Sequence, residues 1–363
     1  MRWRLIKRNS SRNPEHVFGA VSVRAGRGRL RTLKGNGSVK KIVYYNVEAG
    51  IEYEKQLLKE WKIEDAELVE VSDPQEKMSF AKAVGDADGV VMYYYTVGES
   101  DLSEMPNLKV IALQSIGFNN VDIAAATRNG VCITNIPGYC SNEVALHTVA
   151  MLLDLERQIT FLDREVRKGG WNPMCGYSMY RLKGQTFGMV FFGSIAKEIV
   201  PMVKAFGMKV LVYAPTKSRE YLESFGVEKA ETLEELCRKS DVVSMHCPLN
   251  DATRGMMGKE QFTWMKPGAF FINTARGGVV EEDALADALQ ERKIRAAAVD
   301  VVNDEAEGKS RLRDLDNVVM TPHSAFLSED AFLECRRMSL EQAVQRVCRN
   351  EKPSHTVNPD VTV

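Results

Sequence analysis

From residue 40 to residue 322 the chain alternates strand-length apolar runs with helix-length stretches, joined by short turns. The first cycles run "KIVYYN" (strand), "EYEKQLLKEW" (helix), "AELVEVS" (strand), "MSFAKAVGDA" (helix) and "DGVVMYYY" (strand). "LKVIALQS" is a further strand. "NVDIAAATRNG" is then a helix ending at Gly130, and "VCITNI" another strand. Nearly continuous apolar strands connected through helices bury both their faces only in a parallel sheet covered by helices on each side. This pattern restricts the chain to an α/β fold.

Pro137 and Gly138 interrupt the first unit. Ser141 is the expected N-cap of the next helix, with Glu143 in its first turn. That helix, "NEVALHTVAMLLDLERQI", is apolar around much of its circumference and reads as a buried linker between two domains. A second unit begins near Leu182-Lys183-Gly184. Its strands are "TFGMVFF", "KVLVYA", "DVVSMHC", "AFFINT", "AAAVDVV" and "NVVMTP". Helices are expected at 194–206, 218–225, 231–239, 258–264 and 281–291. Six strands is the count of a doubly wound dinucleotide domain. A last helix, "SEDAFLECRRMSLEQAVQRVCRN", should return to the first domain, so that the second is inserted into it.

The junction "GMVFFGSIAKEIV" raises a question of chemistry. A dinucleotide-binding turn wants G-x-G-x-x-G, for the tight turn, the pyrophosphate approach and helix packing in that order. Gly193 keeps the middle position, followed by Ser194 and Ile195. Ala196 is a tolerable third residue, but Phe191 replaces the first glycine. Pro201 should bend the helix that follows. The next strand ends at Ala214 where NAD binders carry an acid for the ribose. Lys217 and Arg219 follow, a pair suited to a 2′-phosphate, so NADP(H) is favoured over NAD(H). Solvated loop charges are the alternative.

Residues 1–38 form a basic tail. Its first 36 residues hold ten Lys or Arg and a single acid, Glu15. A disordered tail, an organellar presequence and a nucleic-acid arm all fit that composition. The whole chain has 363 residues and a net charge of −1, which gives no reason to expect nucleic-acid or membrane partners. Seven scattered cysteines without C-x-x-C suit reduced thiols and a cytoplasmic location. Five histidines without H-E-x-x-H give no metal site.

Three later stretches are more specific. "DVVSMHCPLNDATRGMMGKEQFTWMKPGAFFINTARGGVVEEDAL" (241–285), "AAAVDVVNDEAEG" (296–308) and "NVVMTPHSA" (317–325) occur in order. With "LKVIALQSIGFNNVDIAAATRNGV" (108–131) and "RLKGQTFGMVFFGSIAKEIVPMVKAFGMKVLVYAP" (181–215), they resemble the D-isomer-specific 2-hydroxyacid dehydrogenase family over residues 40–360. The resemblance implies two doubly wound parallel-sheet domains. A Rossmann-type NAD(P)-binding domain (140–325) would be inserted into a flavodoxin-like substrate domain (39–139 and 326–363). It implies hydride transfer between a nicotinamide cofactor and a small 2-keto or D-2-hydroxy acid, and a homodimer formed through the nucleotide domain.

The same resemblance assigns roles. Arg276 matches the residue that holds the substrate carboxylate and polarises the carbonyl; its planar fork suits both tasks. His323 matches the acid/base, since an imidazole can give and take a proton near neutral pH. Glu305 matches its acidic partner, which fixes the tautomer. Ser115, Ile116 and Gly117 would offer backbone N–H groups to the carboxylate. Tyr94, with Tyr93 and Tyr95, would contact the substrate side chain, an aromatic wall suited to apolar keto acids; a run alternating between core and surface is the alternative. Cys247, Pro248 and Thr253 would line the adenosine side, with His246 beside them. Thr274 and Ala275 would line the nicotinamide ribose, and Asp300 would bond the carboxamide. Two further positions depart from the family pattern: Ala306 replaces a proline and Phe118 a glycine. His147, in the linker helix, is read as structural. A dinucleotide-binding regulator of the same fold, catalytically weak, is the rival reading; the persistence of Arg276, Glu305 and His323 weighs against it.

Overall fold

The computed structural model describes residues 39–47, 49–93 and 95–362. The basic tail and Tyr94 lie outside the described residues. Two parallel sheets organise the chain. The first contains β1 (Lys40–Tyr45), β2 (Ala66–Val71), β3 (Gly89–Met92), β4 (Val110–Leu113) and β5 (Cys132–Thr134), in the order β2-β1-β3-β4-β5. This is the flavodoxin-like order. Its central strands β3 and β4 are buried at every position, as a sheet covered on both faces requires. Helices α1 (Glu52–Glu60), α2 (Phe80–Val84), α3 (Glu99–Ser103) and α4 (Ile123–Arg128) connect the strands.

The second sheet contains β6 (Thr186–Val190), β7 (Lys209–Tyr213), β8 (Glu228–Ala230), β9 (Val242–Met245), β10 (Phe270–Asn273), β11 (Ala296–Val299) and β12 (Val318–Met320). Their order is β12-β11-β10-β9-β6-β7-β8, the dinucleotide-fold order extended by one strand. Seven strands replace the six expected. The extra one, β8, is a three-residue charged segment (Glu-Lys-Ala) at the edge, where no apolar signature is needed.

The linker stretch also differs from expectation. It forms two helices, α5 (Ser141–Arg157) and α6 (Ile159–Arg167), broken at Gln158, whose φ is 54°. The break is held by tertiary bonds: Gln158 Nε2 donates to Tyr177 O (2.7 Å) and its Oε1 accepts from Tyr177 N (3.0 Å). Cys140 occupies the N-cap and Ser141 is the first helical residue, so Ser141 does not cap α5. Its hydroxyl instead bonds Ser194 Oγ (3.1 Å) at the start of α7 (Ser194–Ala205). Helices α8 (Arg219–Glu223), α9 (Leu233–Lys239), α10 (Lys259–Trp264) and α11 (Glu282–Gln290) cover the second sheet. The final helix, α12 (Glu329–Val347), packs against β3, β4 and α1 of the first sheet. A buried ion pair between Arg336 and Glu54 fastens it there.

Candidate active site

Strand β10 ends at Asn273, whose side chain braces the loop beyond it. Nδ2 donates to Arg276 O (2.9 Å) and Oδ1 accepts from Ala275 N (3.0 Å). Gly277 follows. A Cβ there would stand 2.1 Å from Val302 O and 2.7 Å from Asn303 N, so only glycine lets this loop press on the segment after β11. Arg276 leaves this braced loop toward the other sheet. Its Nη1 donates to Ala275 O (2.7 Å), and Nη2 lies 3.1 Å from where a Cβ of Gly117 would be. The loop after β4 is equally constrained. Ser115 Oγ donates to Gly117 O (2.6 Å), and Asn135 Nδ2 to Ile116 O (2.7 Å). The guanidinium of one domain therefore abuts the candidate anion loop of the other.

His323 follows β12 in the left-handed region, with φ 51°. Its Nδ1 is 2.8 Å from Glu305 Oε2. An ionised carboxylate only accepts, so Nδ1 carries the hydrogen and, in the neutral ring, Nε2 is the acceptor. Asp300, buried at the end of β11, gathers the turn that holds His323. Its carboxylate accepts from Thr321 Oγ1 (2.5 Å), Ser324 N (2.9 Å) and Ala325 N (3.0 Å). The residue expected to bond a carboxamide thus has a structural task as well.

At the start of α7, Phe191 adopts φ 73°, the backbone of the glycine it replaces. Its side chain packs against the core of the second domain, while the Cβ direction of Gly193 is open to 4 Å. Gly193 caps a helix of 12 residues, whose free N–H groups suit a pyrophosphate. Ile195 packs with Cys140, Val144 and Ala325 under the cleft. His246 donates its backbone N–H to Val190 O (2.9 Å); burial pulls its imidazole down to about 4, so it brings no charge to the turn. Burial pushes the Cys247 thiol up to about 11.

Several expected contacts are placed differently. Arg219 is ion-paired with Glu231, both side chains about half exposed. Lys217 Nζ stands 5.3 Å from the Tyr221 ring, below the buried Ala214. Lys197 of α7, not anticipated, stands 5.7 Å from the same ring and holds the Tyr221 phenol below its usual range. Thr253 is buried and donates to Pro248 O (2.5 Å), bracing a turn. Tyr95 stacks on Phe80 (5.0 Å) and abuts Tyr45 (5.3 Å), so it belongs to the core of the first domain and not to a cleft wall. Apolar surface beside His323 comes from Phe326, whose ring centroid is 6.2 Å away, with Ile116 and Tyr139 in the same cluster.

Residues 149–325 match the sequence model of the family "D-isomer specific 2-hydroxyacid dehydrogenase, NAD binding domain". The glyoxylate reductase of Thermococcus litoralis is 36% identical over 267 residues, covering 72% of this chain and 80% of that protein. The chain belongs to the D-isomer-specific 2-hydroxyacid dehydrogenase family. The D-3-phosphoglycerate dehydrogenase of Methanocaldococcus jannaschii is also 36% identical, over 297 residues. That match covers 82% of this chain but only 56% of the relative. The structure of D-lactate dehydrogenase with NAD+ from Lactobacillus jensenii superposes with a TM-score of 0.71 at 26% identity, covering 87% of this chain and 99% of that one. The family consists of oxidoreductases that use a nicotinamide cofactor, and the open approach at Gly193 fits one. Among the described residues, no helix is long and apolar enough to cross a membrane.

Proposed function

We propose that this dehydrogenase reduces 2-keto acids with apolar side chains to D-2-hydroxy acids, preferring NADPH. What supports the reading is Arg276 abutting Gly117, together with the His323–Glu305 pair beside Phe326, whose cluster includes Ile116. We divide the chain functionally into a substrate domain (39–139 and 326–363) and a coenzyme domain (140–325). Arg276 and the N–H groups of Ile116 and Gly117 hold the carboxylate. A guanidinium also polarises the adjacent carbonyl. His323, protonated at Nε2, gives that oxygen its proton, and Glu305 stabilises the imidazolium beforehand. The nicotinamide, when bound, supplies the hydride. Ile116, Tyr139 and Phe326 receive the side chain. Reduction rates across glyoxylate, hydroxypyruvate, 3-phosphohydroxypyruvate, pyruvate, 2-ketoisocaproate and phenylpyruvate test this. The last two should lead; a clear preference for the phosphorylated acid would reject the apolar pocket.

Lys197 and Lys217 support the NADPH preference, because neither has a carboxylate partner among the described residues. Titration with both reduced coenzymes should show tighter NADPH binding, lost in the Lys197→Ala, Lys217→Ala double variant. A wild-type preference for NADH overturns it. In the same titration Phe191→Gly should shift affinity by less than about tenfold, or 1.4 kcal/mol. A larger gain would mean that the ring obstructs the turn after all.

We further propose that α6 and the loop after it form a homodimer face. Helix α6 has no buried residue, and Ile159, Trp171 and Met174 are 62%, 88% and 84% exposed. Sedimentation equilibrium should give two chains per particle and one in Trp171→Glu. A wild-type monomer refutes the face.

A further inference from the structure

Helix α5 carries two adjacent polar residues, His147 and Thr148, along a largely buried surface. Each bonds a threonine at the end of a different strand. His147 Nε2 is 3.0 Å from Thr321 Oγ1 and 3.7 Å from Asp300 Oδ1. The Thr321 hydroxyl already donates to Asp300, so its oxygen accepts, and His147 carries its hydrogen on Nε2. Thr148 donates to Val144 O (2.8 Å), so at 2.9 Å from Thr274 Oγ1 it accepts the Thr274 hydrogen. Every hydrogen in the two chains has one place to go.

The two threonines occupy equivalent places. Thr321 stands two residues before His323, and Thr274 two residues before Arg276. Between them in the sheet is β11, which ends at Asp300. The His147–Thr321–Asp300 chain continues into the turn of His323, whose own N–H donates to Asp300 O (2.7 Å). A non-glycine residue in the left-handed region stays there only when its surroundings over-determine it.

We propose that His147 and Thr148 are positioning residues, which fix the separation of the His323 imidazole and the Arg276 guanidinium through Thr321 and Thr274. Adjacent residues of one buried helix cannot drift relative to each other. The two strand ends they hold therefore keep one spacing, as a carbonyl gripped from one side and protonated from the other requires. The same helix is tied at its start to the coenzyme turn (Ser141 to Ser194) and to the N-cap of α12 (Glu143 to Ser328 Oγ, 2.9 Å). The inference rests on the roles proposed for Arg276 and His323.

The test uses the full chain with His147→Ala, His147→Asn and Thr148→Val. His147→Ala should lower kcat by about 10–100-fold. Coenzyme Kd and keto-acid KM should stay within about threefold, under 0.7 kcal/mol. The kinetic isotope effect with deuterated coenzyme should rise as hydride transfer becomes limiting. His147→Asn, whose amide can donate to Thr321, should recover most of the loss. Thr148→Val, nearly the same shape, should repeat the kcat loss without changing Kd. An unchanged kcat in His147→Ala and Thr148→Val, a parallel loss of coenzyme affinity, or no recovery by asparagine would overturn the proposal. If His323→Ala and Arg276→Ala abolish turnover while these variants are silent, only this inference falls. If those two are silent as well, the assignment of the site falls first.

Discussion

Replacement of His323 by alanine should lower kcat by about 10²–10⁴-fold, the usual contribution of a positioned acid/base. Coenzyme binding should be nearly unaffected, because the ring bonds Glu305 and edges Phe326 rather than the α7 turn. The two directions of reaction give an internal control. Reduction needs the protonated ring, so its rate falls as pH rises; oxidation needs the neutral ring, so its rate falls as pH drops. The alanine variant should flatten both limbs. Glu305→Gln should produce a smaller loss, since an amide can still face Nδ1 but cannot stabilise the imidazolium. A turnover unchanged in His323→Ala refutes the assignment whatever the other variants do.

Removal of Arg276 should have an effect of similar size. Arg276→Ala deletes the charged fork that meets the Gly117 loop, and kcat/KM should fall by about 10³-fold, as when a charge-stabilising donor is lost. Arg276→Lys should recover little. An ammonium is a point donor and cannot span a carboxylate and the neighbouring carbonyl in one plane. The loss should divide between KM and kcat, because the guanidinium holds the substrate before reaction and the oxygen during it. Steady-state rates on 2-ketoisocaproate measure both; a loss below about tenfold in the alanine variant would remove Arg276 from the reacting groups.

The fold was legible where burial dictates composition. Central parallel strands must be apolar at every position, and those were read directly. Strand β8 escaped because an edge segment of Glu-Lys-Ala needs no such pattern. The break at Gln158 escaped because its cause is the backbone of Tyr177, 19 residues away, and no local glycine or proline marks it. Arg276, Glu305 and His323, the residues proposed to carry the chemistry, were singled out by their flanking motifs. Residues that act by holding others were not. Asn273, Gly277 and Thr148 look ordinary in sequence, and a polar residue on an otherwise apolar helix was the one available signal. The pairing of Arg219 with Glu231 was not legible either, because it closes across 12 residues of chain. Two readings of the tyrosine run stayed open because the end of a strand has no clear alternation to fix a face; Tyr95 takes the core one.

The contact at Gly277 also decides where the enzyme can come apart. With the carbonyl of Val302 filling the place of a side chain, the loop of Arg276 and the segment leading to Glu305 form a single jaw. Opening the cleft must then draw Arg276 away from Gly117, across the seam between the two domains. On the roles proposed for Arg276 and the Gly117 loop, the product carboxylate is gripped on both sides of that seam and leaves as the jaws part.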